Sequence, residues 1–279
     1  MDNITEIYSG QIKIKFVEGN HSYWISRKVK SEWTKWERAS GATTYGGIKD
    51  KSMPLKYWVA KIMSKFLHEI LEGRTITKYD IEDAKKLHTK RLEEAATSGS
   101  KVHDWIESYC KKQNPIMPAE ENVLRGVNAF LEWEKNHKVK ILEAEPVVYS
   151  RKHDYCGTID AIATIGSKRY LIDYKTSNGL YNDVMLQTAA YVEAYEEMTG
   201  NKIYGRWAIR LEKRSEEEFQ ADMDEKGTPN IEYQPFEAVY LDHDKNDRKE
   251  DFQAYLCAMG LKRWDKVGVK KIADYKTKS

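Results

Sequence analysis

Two apolar, β-branched runs flank a Gly166-Ser167 dipeptide, and no other stretch of the chain constrains its geometry as tightly. Gly157-Thr158-Ile159-Asp160 lies in the run before the turn, and Ile172-Asp173-Tyr174-Lys175-Thr176 in the run after it. A two-residue loop that opens on glycine matches the twist of two antiparallel strands, so the segment reads as a hairpin. Pairing Ile165 with Lys168 across the turn sets a register that carries Asp160 opposite Asp173. Opposed side chains in a hairpin have Cβ atoms about 5 Å apart, where like charges destabilise the pairing. A divalent cation between the carboxylates is the simplest compensation. Period-two alternation puts Lys175 on the face of Asp173. There it either neutralises that carboxylate or, beside a metal, orients a water or donates to developing negative charge.

The 279 residues are 41% hydrophobic and 32% charged, enough for one sizeable core in an ordinary soluble domain. A net charge of +2 announces no polyanion binder but permits a local basic groove. No apolar run approaches the roughly 18 residues of a membrane span. Met1 to Gln11 is polar and acidic, unlike a secretory leader. Three scattered cysteines, Cys110, Cys156 and Cys257, suggest a reducing compartment, expected to be the cytoplasm, with no disulfide frame or zinc knuckle.

Residues 11–26 read as two short strands joined at Glu18-Gly19-Asn20, followed by a Gly-, Ser- and Thr-rich loop over 39–51. Pro54 opens an amphipathic helix to about Leu71. Residues 78–112 are helical, with a joint expected near Thr97-Ser98-Gly99, and another helix runs from about Glu120 to Asn136. Strands follow at 141–149, 157–165 and 169–176, then a helix from Asn182 to Met198 that Gly200 ends, then a strand over 203–211. The polar stretch 212–230 reads as a loop or mobile hairpin, 239–241 as a strand, 248–264 as a helix, and the basic tail from Lys270 as frayed. The expected architecture is α/β, with a core of helix, three strands in an antiparallel or mixed sheet, helix and strand. That core is assigned to residues 97–279, and 1–96 to an accessory strand and helical segment packing on it.

Other reactive residues fall on the elements around the hairpin. His103 and Glu107 share a helical face, and a neutral imidazole suits manganese or magnesium. Gln187, Tyr191 and Tyr195 form a polar ridge on the later helix, whose Val184, Ala189 and Val192 can pack inward. Glu145 begins the first core strand and can add a carboxylate at the site edge.

Gly99-Ser100-Lys101-Val102-His103, Gly157–Asp160, Asp173-Tyr174-Lys175 and Gln187–Tyr191 occur in that order, and the set resembles the RecB-like branch of the PD-(D/E)XK nuclease superfamily. That branch has Gly-Thr-x-x-His, Gly-x-x-Asp, Asp-x-Lys and Gln-x-x-x-Tyr in turn, and Ser100 in place of Thr is a mild departure. The match covers about residues 97–200. The resemblance implies a restriction-endonuclease-like core and a metal-dependent DNA nuclease, with exonucleases, which act on DNA ends, common in the branch. It implies His103, Asp160, Asp173 and the Tyr174 carbonyl as ligands of Mg²⁺ or Mn²⁺. Lys175 becomes the catalytic lysine, while Gln187 and Tyr191 contact the DNA or that lysine. Glu145 matches a glutamate often placed before Gly-x-x-Asp. Members with an iron–sulfur cluster use four cysteines, so no cluster is expected here. The implied partner is DNA, single-stranded or at duplex ends, in recombination, repair or phage replication. In a phage-encoded protein the compartment is the host cytoplasm, and a homo-oligomer or a recombination partner fits such roles.

Three other readings compete. His103-Asp104 suggests an HD-type phosphohydrolase acting on nucleotides, which needs a second, upstream histidine such as His88 and a downstream helical aspartate. A non-catalytic DNA-binding module would keep the fold but be free to lose one member of the set. A structure-specific or sequence-specific endonuclease would cut circular DNA.

Overall fold

The computed structural model describes residues 3–17, 19, 21–47 and 52–278. Two residues of the expected Glu18-Gly19-Asn20 turn and the end of the 39–51 loop lie outside them. The chain opens with an antiparallel sheet of β1 (Asn3–Ile7), β2 (Ile12–Val17) and β3 (Ser22–Val29), with short β4 (Glu32–Trp33) and β5 (Glu37–Ala39) both paired to β3. Alternation turns Ile12 and Ile14 of β2 and Ile25 of β3 onto one face, where they pack on Tyr149 and Cys156.

Three helices follow: α1 (Ala42–Gly46), α2 (Ser52–Leu71) and α3 (Lys78–Cys110). The first residues of α3 are held by a reciprocal cap, Thr77 accepting from the Asp80 N–H and Asp80 accepting from Thr77. No joint interrupts α3 at Thr97-Ser98-Gly99. Gly99 serves proximity instead of flexibility, since a Cβ there would lie 2.7 Å from Thr176 Oγ1. Helix α4 (Glu121–His137) then leads into the core.

The core strands are β6 (Val139–Ala144), β7 (Val147–Ser150), β8 (Tyr155–Thr158), β9 (Ala161–Ile165) and β10 (Lys168–Lys175). Helix α5 (Asp183–Thr199) crosses over to β11 (Gly205–Leu211), which is parallel to β10. Helix α6 (Glu216–Glu225), β12 (Phe236–Tyr240) and the long α7 (Asp247–Lys278) complete the chain. The central sheet runs β12-β11-β10-β9-β6, so the fold is mixed α/β as the element order implies. Leu171 on β10 packs with α5 residues Ala190, Val192 and Tyr195, whereas Ile172 and Tyr174 face Val102, Phe130 and Trp133 of α3 and α4. The sheet is therefore covered by helices on both faces.

Several boundaries depart from expectation. The strand expected at 141–149 breaks at Glu145-Pro146, and the one at 157–165 breaks at Ile159-Asp160. Both breaks fall at one level, because Glu145 N–H donates to Asp160 O and Ile159 N–H to Pro146 O. Past that bend, β7 and β8 leave the sheet as a separate two-stranded ribbon. The polar 212–230 stretch contains α6, whose start carries a Ser215/Glu218 capping box that polarity alone conceals. The basic tail continues α7 to Lys278 in place of fraying from Lys270. Among the described residues, no helix is long and apolar enough to cross a membrane.

Arg206, 0% exposed on β11, ties α5 and α7 to the sheet. It donates to Met185 O on α5, to Asp242 Oδ1 and to Asp251 Oδ2 on α7 at 2.5–2.8 Å. Removing one partner of such a buried cluster leaves uncompensated charge, a loss of about 3–5 kcal/mol. Arg206→Ala should lower unfolding stability by that order in urea titration, and an unchanged midpoint would show the cluster to be dispensable.

Candidate active site

The β9–β10 register is the one the turn implies, running from Lys168 opposite Ile165 to Ile172 opposite Ala161. The ladder stops there, which leaves Asp160 one residue outside β9 at the bend. Its Oδ2 accepts the Tyr174 N–H at 2.6 Å, and its Oδ1 lies 3.9 Å from His103 Nδ1 on α3. Asp173, on the next rung, engages other partners. Its Oδ2 is 2.7 Å from Lys175 Nζ, and its Oδ1 accepts from Gln187 Nε2 on α5 at 3.4 Å. The two aspartates thus stand close but are held by different elements.

Glu145 is the residue that the bend aims. Its φ of 53° is left-handed, a conformation that strains a non-glycine residue by about 1–3 kcal/mol. Ligand atoms of His103, Glu145 and Asp160 all lie within 4.8 Å of one another. Glu145 stands at the kink between β6 and β7 and does not begin the first core strand. It, more than Asp173, completes a compact donor trio with His103 and Asp160. The Tyr174 ring is buried on the opposite face, 5.3 Å from the Phe130 ring and 6.1 Å from Trp133, and meets the His103 ring edge-on at 6.3 Å, so the ring seats the imidazole while the backbone borders Asp160.

Burial sets the protonation of these groups. It pushes the Glu145 carboxyl up to about 8, helped by the negative charge of Asp160. It raises Asp173 to about 6 against the pull of Lys175, and raises Asp160 as well. Burial, then the Lys175 charge, drives His103 down to about 4, so its imidazole is neutral at pH 7 and keeps a lone pair to offer. Burial works against the charge of Lys175, but Asp173 and Asp160 outweigh it and hold the ammonium protonated. Asp173 Oδ2 is buried with the lysine as counter-charge and no well-directed hydrogen bond. A neutral imidazole, reluctant carboxylates and an under-satisfied carboxylate oxygen together fit a divalent cation of the Mg²⁺ or Mn²⁺ kind.

Gln187 links the lysine to α5. Its Oε1 is 3.5 Å from Lys175 Nζ, and its Nε2 donates to the Tyr191 hydroxyl at 3.0 Å. The Tyr191 ring lies flush on the ribbon, so that a Cβ at Gly157 would come within 2.3 Å of Tyr191 Cε1. Tyr195, the third member of the ridge, turns away and donates to Glu143 on β6. Glu107 is paired with Lys111. Of the lysines on α3, Lys85 pairs with Glu82 and Lys101 with Glu120.

A cleft of about 1220 Å³ opens above His103, Glu145 and Asp160. Helix α3 forms one wall and the N-terminal sheet the other, through Phe16 and Tyr23. Tyr23 shares a hydrogen bond of 2.9 Å with Thr158, within two residues of Asp160. Sequence reading missed this contribution of the N-terminal sheet. The Ile12-Ile14-Phe16 alternation flags the buried face but not what it abuts. It also missed Lys213, which reaches back to Ser98 Oγ on α3 at 2.8 Å. His88 sits on the same helix as His103 but fifteen residues away, roughly 22 Å along the axis, so the two cannot share an ion as the HD reading requires.

No family model matches the chain, and no curated protein does. Among solved structures, the chain is similar to an alkaline exonuclease (LHK-Exo) from Laribacter hongkongensis, with 9% identity and a TM-score of 0.38 over 85% of this chain and 94% of that one. The complex of LHK-Exo with dAMP gives 10% identity and a TM-score of 0.37 over the same shares. A structure described as SSO0001 matches with 14% identity and a TM-score of 0.30, over 76% of this chain and 88% of that one.

Proposed function

We propose that the chain is a metal-dependent deoxyribonuclease that hydrolyses phosphodiester bonds. The observation that carries this reading is the meeting of His103, Glu145 and Asp160 within 4.8 Å of one another, with the charged Lys175 held by the carboxylates beside them and its neighbour Thr176 lining the same cleft. Oxygen-rich donors with one imidazole suit Mg²⁺ or Mn²⁺. Bound there, such an ion would supply Lewis acidity to a scissile phosphate and acidify a water. His103, Glu145 and Asp160 would hold it, with Asp173 and the Tyr174 carbonyl as further ligands.

The chain's own residues account for the rest of the chemistry. Lys175 donates from Nζ to the charge that develops on the phosphoryl oxygens, or positions the attacking water. Asp173 keeps that ammonium protonated, and Gln187 holds it from the other side. Tyr191 orients Gln187, and the α3 wall and N-terminal sheet enclose the substrate. The preference for DNA ends, and for work in recombination, repair or phage replication, rests on the resemblance to RecB-like nucleases.

The direct test is cleavage of end-labelled linear DNA, single- and double-stranded, and of a closed circle, with Mg²⁺, Mn²⁺ or EDTA. Shortening of linear DNA that needs the metal and is lost in Asp160→Ala is expected. Cutting of the circle would convert the assignment to an endonuclease. Metal-independent binding without cleavage would leave a DNA-binding module. Lys175→Ala should retain metal binding by calorimetry while its single-turnover rate drops about 10²–10³-fold, the scale of losing one oxyanion donor. An unchanged rate would remove Lys175 from the chemistry. Gly157→Ala should displace the Tyr191 ring and slow turnover in a protein that still unfolds cooperatively, and wild-type kinetics would show that Tyr191 has no role through Gln187.

A further inference from the structure

The face of the N-terminal sheet that begins as core does not end as core. Ile14 and Ile25 pair in register and are buried, and on the next same-face rung Phe16 pairs with Tyr23. These two are only half-buried, because here the sheet reaches the end of the ribbon it packs on, where the cleft opens. The Phe16 and Tyr23 rings lie 4.9 Å apart, and the exposed His21 ring stands 5.9 Å from Phe16. His21 holds a left-handed backbone conformation, φ 44°, that costs a non-glycine residue about 1–3 kcal/mol. Three rings thus line one wall of the cavity that holds His103, Glu145 and Asp160. Tyr23 is the ring nearest the site, through its hydrogen bond to Thr158.

The charges around that cavity limit what the wall can receive. Asp104, Glu107, Glu145 and Asp160 line it, and among the described lining residues Lys111, which Glu107 engages, is the one lysine. With its one lysine already paired and carboxylates around it, this lining gives phosphates nothing to bind but a cation at the trio, so a strand entering here must offer the wall something other than its backbone. Bases of an unpaired strand present flat π-faces to aromatic side chains, at about 1–3 kcal/mol per base. In a duplex those faces are stacked inside and out of reach.

We propose that Phe16, His21 and Tyr23 form a base-stacking subsite for an unpaired DNA strand leading to the metal-donor trio, so that the enzyme selects single-stranded DNA or frayed ends. The proposal rests on the nuclease reading for its biological sense, but it is tested without cleavage. The probe is a single-stranded oligonucleotide carrying 2-aminopurine, whose fluorescence falls when the base stacks. It is titrated into the full-length protein in Ca²⁺, which fills oxygen-rich sites in place of Mg²⁺, with the oligonucleotide checked for integrity, next to a duplex of the same sequence.

Wild-type protein should quench the single strand and bind it more tightly than the duplex. Phe16→Leu, which keeps apolar volume but removes the ring, should weaken single-strand binding about tenfold. It should also abolish quenching and leave duplex binding unchanged, and Phe16→Trp should restore the signal. His21→Ala, at an exposed position where misfolding is no concern, should lose part of the quenching. Equal single-strand binding and quenching in wild type, Phe16→Leu and His21→Ala would overturn the subsite, as would wild-type preference for duplex. Quenching by a protein that fails to cleave any DNA would instead retain the subsite and refute the nuclease.

Discussion

Glu145 holds a left-handed conformation in front of Pro146, and its N–H donates to the carbonyl of Asp160 across the neighbouring strand. The remaining geometry of the site follows from this shared bend. Because β6 and β9 leave the ladder together, no lone strand is stranded with unpaired groups. The pair continues as the β7–β8 ribbon and finds its own partner surface beneath the N-terminal sheet. The carboxylates of Glu145 and Asp160 emerge at the inner side of the bend, where the sheet opens and α3 can bring His103 across. A straight hairpin would have left both acids pointing along sheet faces that helices cover.

The lysine arm is built on a different principle. Asp173 and Lys175 share a strand face, which any Asp-x-Lys strand provides. What makes the pair specific is α5, placed by the crossover from β10 to parallel β11 and clamped by Arg206. Gln187 is thereby aimed at both charged groups, and Tyr191 in turn is seated on the ribbon at Gly157. Glu145 and Asp160 stand at the bend where the ribbon begins and Tyr191 rests on it at Gly157, so the trio and the lysine arm meet through the same bent ribbon.

Local rules made a good part of this legible. The Gly166-Ser167 turn set the hairpin register, and Gly200 marked the end of α5, because turn and cap chemistry act over a few residues. Glu145 was legible as an acid near the site but not as a partner of His103 and Asp160, since its aim depends on a kink made jointly by two strands. Gly99 read as a joint, because a glycine kept for close approach to Thr176 looks in sequence like a helix breaker. Helix α6 was hidden behind its charge, although its capping box was in plain view at Ser215 and Glu218. The role of the N-terminal sheet as a wall is a long-range fact: Tyr23 meets Thr158 across more than a hundred residues, and no periodicity encodes that.

Helix α3 has a mechanical property that follows from where it touches the core. It is one rod of 33 residues, about 50 Å long, and it meets the core at Gly99, where a Cβ would lie 2.7 Å from Thr176 just past β10. That contact divides the rod unequally, with roughly 32 Å on the Thr77 side and roughly 6 Å between the contact and His103. The helix is then a lever whose fulcrum lies next to the site. A tilt that swings the outer end by several ångströms displaces His103 by about a fifth as much, so the far arm can yield to a bulky polymer while the ligand distances hold nearly still.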